Sequence, residues 1–281
     1  MRIFLFISLF ILSFSSSAIV VRHDVDDKKY QAMPSDFAPL ATFYVDGAHG
    51  TLIKPDWIVT AAHATFCVTP ESYVAFNNGL HKVESVFVHR DYKPGKSHDI
   101  ALVKLINPVT GIEPATVYGN TDELGKPTWF IGVGGTGNGL IGQTVDNYEN
   151  NGVLRKAQNI ITMADGPLLK FVFDSGDSAL PLEGVSGGGD SGGPAFLKSN
   201  GTNYLLGVSS RVEGEGIGKY GVLEVYSRAS YFKPWIDKVT SGDKAVQLQL
   251  TRPKLEKLPS GLTDEILPEV CSDIGIKPNA I

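Results

Sequence analysis

Cysteine is scarce in this sequence. Two among 281 residues, Cys67 and Cys271, permit at most one disulfide, so no disulfide framework holds the fold together. They lie 204 positions apart, and whether they pair or stay free is left open by the sequence. With no histidine pair at ligand spacing beside them, they make no metal site, and no cofactor is expected. Positive charge is also short: 25 Lys and Arg stand against 30 Asp and Glu, a formal net charge of −5. That excludes the basic excess of a nucleic-acid-binding protein. Beyond residue 18 no apolar run approaches the roughly 20 residues that span a bilayer, so no integral membrane segment is expected in the mature chain.

What is present begins with a leader. Arg2 precedes an apolar stretch, 3–14, followed by Ser15, Ser16, Ser17 and Ala18. Basic start, apolar core and small residues are the three parts of a secretory signal, with the cut expected after Ala18. The mature protein is then soluble and secreted, extracellular or periplasmic, and is read as a monomer.

Short apolar or alternating runs, rich in Val, Ile, Phe and Tyr and separated by turn signals, dominate the remainder. They are 41–45, 57–60, 73–76, 83–89, 100–105, 129–133, 169–173, 204–208 and 222–226. Asn-Gly pairs at 78, 138, 151 and 200 read as hairpin turns. One helix is expected, capped by Ser230, running through Lys238 and ended by Ser241-Gly242, with Pro234 in its first turn. The Pro- and Gly-rich stretch 106–128 reads as a connection between two β halves. The expected division is 1–18 signal, 19–112 first half, 113–240 second half with the helix, and 241–281 a C-terminal extension of weak apolar pattern.

The stretch SGGGDSGGPAF, 186–196, sets five glycines and a proline around Ser191. Such composition fits a plain surface loop as well as a rigid cradle. A serine hydroxyl becomes a useful nucleophile only when a base takes its proton and a third group holds that base. His63, in WIVTAAHA, follows a β-branched run and lies among small alanines. Asp99, in SHDIALVKL, stands at the mouth of an apolar strand, where burial leaves its carboxylate in need of a donor.

TAAH, DIALVKL and GDSGGP, in the order His, Asp, Ser, resemble the chymotrypsin/trypsin-like serine peptidases. GTLIKPDWIVTAAH, VESVFVHRDY, FIGVGG, GVSS and the helix with Trp235 extend the resemblance over roughly 19–240. The resemblance implies an all-β fold of two six-stranded antiparallel β-barrels with a C-terminal helix, here followed by an extra tail. It implies a serine endopeptidase that cleaves protein or peptide substrates through an acyl-enzyme. Ser191 would be the nucleophile, His63 the base and then acid, and Asp99 the orienting carboxylate. Gly189 and Ser191 would supply the oxyanion-hole N–H groups. A cut before Ile19 would expose an amino terminus able to pair with Asp190. Ser209 matches the family serine that contacts the buried acid.

Several positions depart from the family pattern. Ala48, Ala64 and Gly187 stand where cysteines are usual. In the specificity pocket Val185 replaces the acid of the trypsins, and Glu224 stands on the wall in place of a glycine. Glu224 could attract a basic side chain, or Arg211 could fold over and pair with it; the expected preference is apolar or mixed rather than strictly Arg/Lys. A non-cleaving binding protein on the same fold and an esterase-like hydrolase are the alternatives. GVGGTG, 132–137, fits a dinucleotide fingerprint but is followed by helix breakers. Asn200-Gly201-Thr202 is a glycosylation sequon that also serves as a turn.

Overall fold

A computed structural model of the chain describes residues 19–43, 47–250 and 265–273. The expected leader, 1–18, lies outside the described residues, as does much of the C-terminal extension. In chain order the strands are β1 (Ile19–Val21), β2 (Leu40–Phe43), β3 (His49–Lys54), β4 (Trp57–Thr60), β5 (Tyr73–Phe76), β6 (Gly79–Val88) and β7 (Ala101–Leu105). After the connection come β8 (Thr116–Val117), β9 (Pro127–Gly132), β10 (Thr136–Asn138), β11 (Gly142–Val145), β12 (Arg155–Asp165) and β13 (Leu168–Val172). The last are β14 (Gly184–Val185), β15 (Pro194–Ser199), β16 (Thr202–Glu213) and β17 (Leu223–Arg228).

Two antiparallel barrels result. The first closes in the order β2-β3-β4-β7-β6-β5, with Thr42 opposite Ala75 sealing the seam. All four residues of β4, Trp-Ile-Val-Thr, are buried, and β7 beside it exposes only Lys104 in part, which accounts for their apolar runs. The second barrel runs β15-β9-β12-β13-β17-β16 and closes where β15 pairs with β16. A third, smaller sheet, β11-β10-β1-β14, inserts the N-terminal strand between two elements of the second half.

Strand β12 went unread in the sequence because its inward positions include polar groups. Arg155, Ala157, Asn159 and Ile161 alternate inward, and all four are buried. Arg155 is satisfied by a two-pronged pairing with Asp27 at 2.8 and 2.7 Å. The Asn159 amide donates to the carbonyls of Val172 and Gly184. Each polar group has a fixed partner, so the alternation that marks a strand is hidden rather than absent.

Helix α1 (Ala229–Thr240) starts one residue before the expected cap. The Ser230 hydroxyl donates to the buried Glu123 carboxylate instead of capping, and Pro234 falls in the second turn. The helix survives the lost N–H because Ala229, Phe232, Ile236 and Val239 sink into the core. Two further helices, α2 (Lys244–Leu250) and α3 (Leu267–Asp273), lie in the extension. Leu250 joins the main core, and Cys271 of α3 is joined to Cys67 by a disulfide. No helix among the described residues is long and apolar enough to cross a membrane.

Candidate active site

His63 begins a short 3-10 turn, His63–Thr65, directly beyond β4. Ala61, Ala62 and Ala64 are all buried, and their small side chains let this turn press against the barrel. Asp99 sits just before β7, where His98 takes a φ of 56° and turns the chain inward. The Asp99 carboxylate is buried and accepts from three donors. His63 Nδ1 lies 2.7 Å from Oδ2, the His63 backbone N–H donates to Oδ1 at 3.0 Å, and the Ser210 hydroxyl donates to Oδ2 at 2.7 Å. The Asp99 carbonyl accepts from the Ser227 hydroxyl at 2.7 Å. Burial by itself would raise the Asp99 carboxyl; the His63 charge and these hydrogen bonds outweigh it and hold the group below its ordinary value. A carboxylate held ionised in this way fixes the imidazole with its Nδ1 proton toward Asp99, which leaves Nε2 as the basic nitrogen.

The loop around Ser191 is clamped from both barrels. From β3, the His49 N–H donates to the Ser191 carbonyl at 2.8 Å. From β16, Ser209 exchanges backbone hydrogen bonds with Gly192 and Gly193, each 2.9 Å. Gly192 has a φ of 76°, and a Cβ there would lie 2.1 Å from Thr60 Oγ1 and 2.3 Å from the His49 carbonyl oxygen. Glycine is therefore required by conformation and by contact at once. Of the two readings that the composition allows, a rigid cradle is the one the backbone takes. Gly189, the candidate oxyanion-hole residue, has a φ of 98°, and its neighbour Gly188 donates to Gln143 Oε1 at 2.7 Å.

Asp190 is buried beneath this loop. Its two oxygens accept from Gly134 N–H at 2.7 Å and Gly187 N–H at 2.9 Å, and His49 Nε2 lies 3.5 Å away. Val133 N–H donates to that same Nε2 at 3.0 Å, so Nε2 is an acceptor and the Asp190 contact is no ion pair. The His49 proton then sits on Nδ1, facing Thr42 Oγ1 at 3.1 Å. Ile19 is buried in β1 opposite Thr136, and its carbonyl accepts from the Thr136 hydroxyl at 2.8 Å. Its φ is 62°, a region that a β-branched residue seldom occupies.

Among the pocket candidates, Val185 is wholly buried and packs with Val20, Phe173 and Val222. Two expectations need correction. Ser210, not Ser209, supplies the hydroxyl on Asp99, because a register shift between Ser209 and Arg211 in the β16–β17 pairing changes which serine faces the acid. Arg211 does not pair with Glu224. It is opposite Val225 in register and bonds to Glu213 at 2.7 Å, whereas Glu224 stands opposite Val212 and Phe171 on the other face. Arg211 instead lines a cavity of about 310 Å³ with His63, Tyr92, Pro94, Asp99 and Ser210. Sequence reasoning also missed His49 and Gln143. The first was hidden inside a strand, and the second depends on a contact between loops far apart in the chain.

Two closed antiparallel barrels, a buried Asp99 bonded to His63 and a serine loop clamped at its glycines are the features of the chymotrypsin-like class of serine hydrolases. The trypsin family model matches residues 28–236, and the chain belongs to that family. It is 29% identical to brachyurin of Leptuca pugilator over 233 residues, covering 75% of this chain and 96% of that protein. It is 30% identical to a mouse (Mus musculus) tryptase over 223 residues, covering 69% of this chain and 79% of the tryptase.

Proposed function

We propose that this protein is a secreted, monomeric serine endopeptidase in which Ser191, His63 and Asp99 carry out acyl transfer on protein or peptide substrates. The observation that carries the reading is the Asp99 carboxylate, buried and held 2.7 Å from His63 Nδ1. Such an arrangement leaves Nε2 free of its proton and aimed by a fixed ring, as a general base requires. In the first step Ser191 Oγ attacks the scissile carbonyl carbon and its proton passes to His63 Nε2. The carbonyl oxygen gathers negative charge, which the N–H groups of Gly189 and Ser191 stabilise. Collapse breaks the C–N bond as His63 returns the proton to the leaving amine. Water, activated by the same nitrogen, then releases the acid and restores Ser191.

The acceptance of side chains on the acyl side of the scissile bond is mixed rather than strictly basic. Val185 brings no charge to the pocket, and Val212 stands directly opposite Glu224. Cleavage after Ala18 completes the enzyme: the new ammonium group of Ile19 pairs with Asp190, and the cut removes the strained φ at Ile19.

Substitution Ser191→Ala tests the reading. Peptide hydrolysis should fall on the order of 10⁴-fold or more, with the thermal midpoint unchanged. A purified Ser191→Ala protein that still cleaves peptides near the native rate would overturn it, and a native protein that hydrolyses esters but no peptide would favour the esterase alternative.

A further inference from the structure

The chain has four Asn-Gly pairs, at 78, 138, 151 and 200. In three of them the fold uses the asparagine side chain. Asn78 donates to the Thr110 carbonyl at 2.7 Å, Asn151 donates to the Glu149 carbonyl at 3.1 Å, and Asn138 accepts from the Leu140 N–H at 3.1 Å. Asn200 is different. It is exposed, and its amide makes no hydrogen bond among the described residues. The turn explains the dipeptide, since φ is 49° at Asn200 and 81° at Gly201, values these two residues adopt at little cost. It explains neither the idle amide nor the residue that comes next. Thr202 follows Gly201, whereas Leu80, Leu140 and Val153 hold that place in the other three pairs. The Thr202 hydroxyl also has no hydrogen-bond partner among the described residues. No other Asn-x-Ser/Thr triplet occurs in the sequence.

The surroundings leave room for a large substituent. β9 accompanies β15 only at Ala195 and Phe196, β8 accompanies β16 at Tyr204 and Leu205, and β17 joins β16 from Gly207 onward. Among the described strands, residues 198–203 therefore pair only with one another, as a two-stranded ribbon that outruns its neighbours. Lys198, Ser199, Asn200 and Gly201 are all exposed, and a Cβ placed on Gly201 would meet nothing within 4 Å. The ribbon also leads away from the candidate site. β15 leaves the Ser191 loop and runs for six residues at roughly 3.3 Å each, which puts the turn on the order of 20 Å from that loop.

Resting on the secretion proposed above, we propose that Asn200 is an N-glycosylation site whose sugar chain caps the tip of this ribbon, clear of the cleft. The co-substrate is an oligosaccharide carried on a lipid pyrophosphate. A bond forms between Asn200 Nδ2 and the anomeric carbon of the first sugar. The bond from that carbon to the pyrophosphate oxygen breaks, and its electron pair leaves with the lipid pyrophosphate. One amide proton is lost to a base, and nothing is oxidised or reduced. The unused amide makes the transfer compatible with the fold, because the turn gives up no hydrogen bond. Capping also blunts a ribbon whose outer backbone groups have no third strand to pair with.

The test expresses the full chain, with its own leader, in a eukaryotic host and recovers it from the medium. Peptide N-glycosidase should lower its apparent mass and turn the Asn200 amide into an acid, which peptide mapping locates. Thr202→Ala and Asn200→Asp should run at the sugar-free position without treatment, and Thr202→Ser should keep the sugar. Removing the sugar should leave kcat/KM on short peptides unchanged, because the turn is remote from Ser191. Secreted protein with an unmodified Asn200 would overturn the proposal, as would sugar that persists in Thr202→Ala. A changed kcat/KM would overturn the placement clear of the cleft. If neither variant reaches the medium, the peptide map of the native chain decides it. A native chain held inside the cell without sugar would overturn the secretion reading as well.

Discussion

His89 sits among other rings. Its centroid lies 5.1 Å from His98, 5.3 Å from Phe232 and 4.9 Å from Trp235. Burial, and then the charge of His98, hold it at about 4, below the ordinary histidine value. Asp91 and Arg90, the charged neighbours on its own chain, act in opposite directions. The sign of the linkage follows. Between about 6.5 and 4 the unfolded chain takes up a proton that folded His89 refuses. Its contribution to stability is complete above about 6.5 and is lost as pH falls through that window. Urea midpoints measured from pH 7 to 4 should decline in the native protein and decline less in His89→Gln; parallel curves would remove His89 as a cause. Because His98 adjoins Asp99 in sequence, this ring cluster also braces the turn that presents the candidate acid.

Strand β1 shows what an element adds beyond its residues. Its three residues pair on one side with β10 and on the other with β14, and Val20 packs into the cluster that holds Val185. In the activation proposed above, an amino terminus generated there pairs with Asp190. A chain carrying one extra residue before Ile19 should therefore lose most of its peptidase activity, by about 100-fold, while its circular dichroism stays native; the scale is that of losing one set of oxyanion-hole donors. Full activity in the extended chain would separate activation from Ile19. Legibility in the sequence follows the same line. His63, Asp99 and Ser191 could be read because each is embedded in a run whose local shape is dictated by small or apolar neighbours. Asn200-Gly201 was equally readable, since both residues have positive φ in the β15–β16 turn. Asn151-Gly152 has the same backbone signs but leads into β12 without making a hairpin, because the preceding short turn, Asn147–Glu149, is not a strand. Ser210 was misread by one place because a register shift leaves no mark in composition. The partners of Arg211 and Glu224 depended on which face of β16 and β17 each occupies, and a local motif does not carry that information.

At the scale of the whole molecule, the disulfide between Cys67 and Cys271 is the one covalent link between the first barrel and the extension, with a sequence separation of 204. Closing a loop of that length restricts the unfolded chain by about 5 kcal/mol in the chain-entropy account, an upper figure for what the bond supplies. Cys67→Ala combined with Cys271→Ala should lower the stability measured by urea titration by a few kcal/mol, within that limit. No change would mean that the extension is held by packing alone.

The same bond turns most of the chain into a closed ring. Cys67 lies just past His63, so Asp99 and Ser191 are inside the ring and His63 is on the short arm that leads into it. A single cut at any peptide bond between Cys67 and Cys271 opens the ring without dividing the molecule. Exposed segments such as that around Tyr148 can thus be nicked, even by a neighbouring copy of the enzyme, and both pieces remain joined. A preparation nicked in this way would run as one band before reduction and as two after it, with His63, Asp99 and Ser191 still held in one particle.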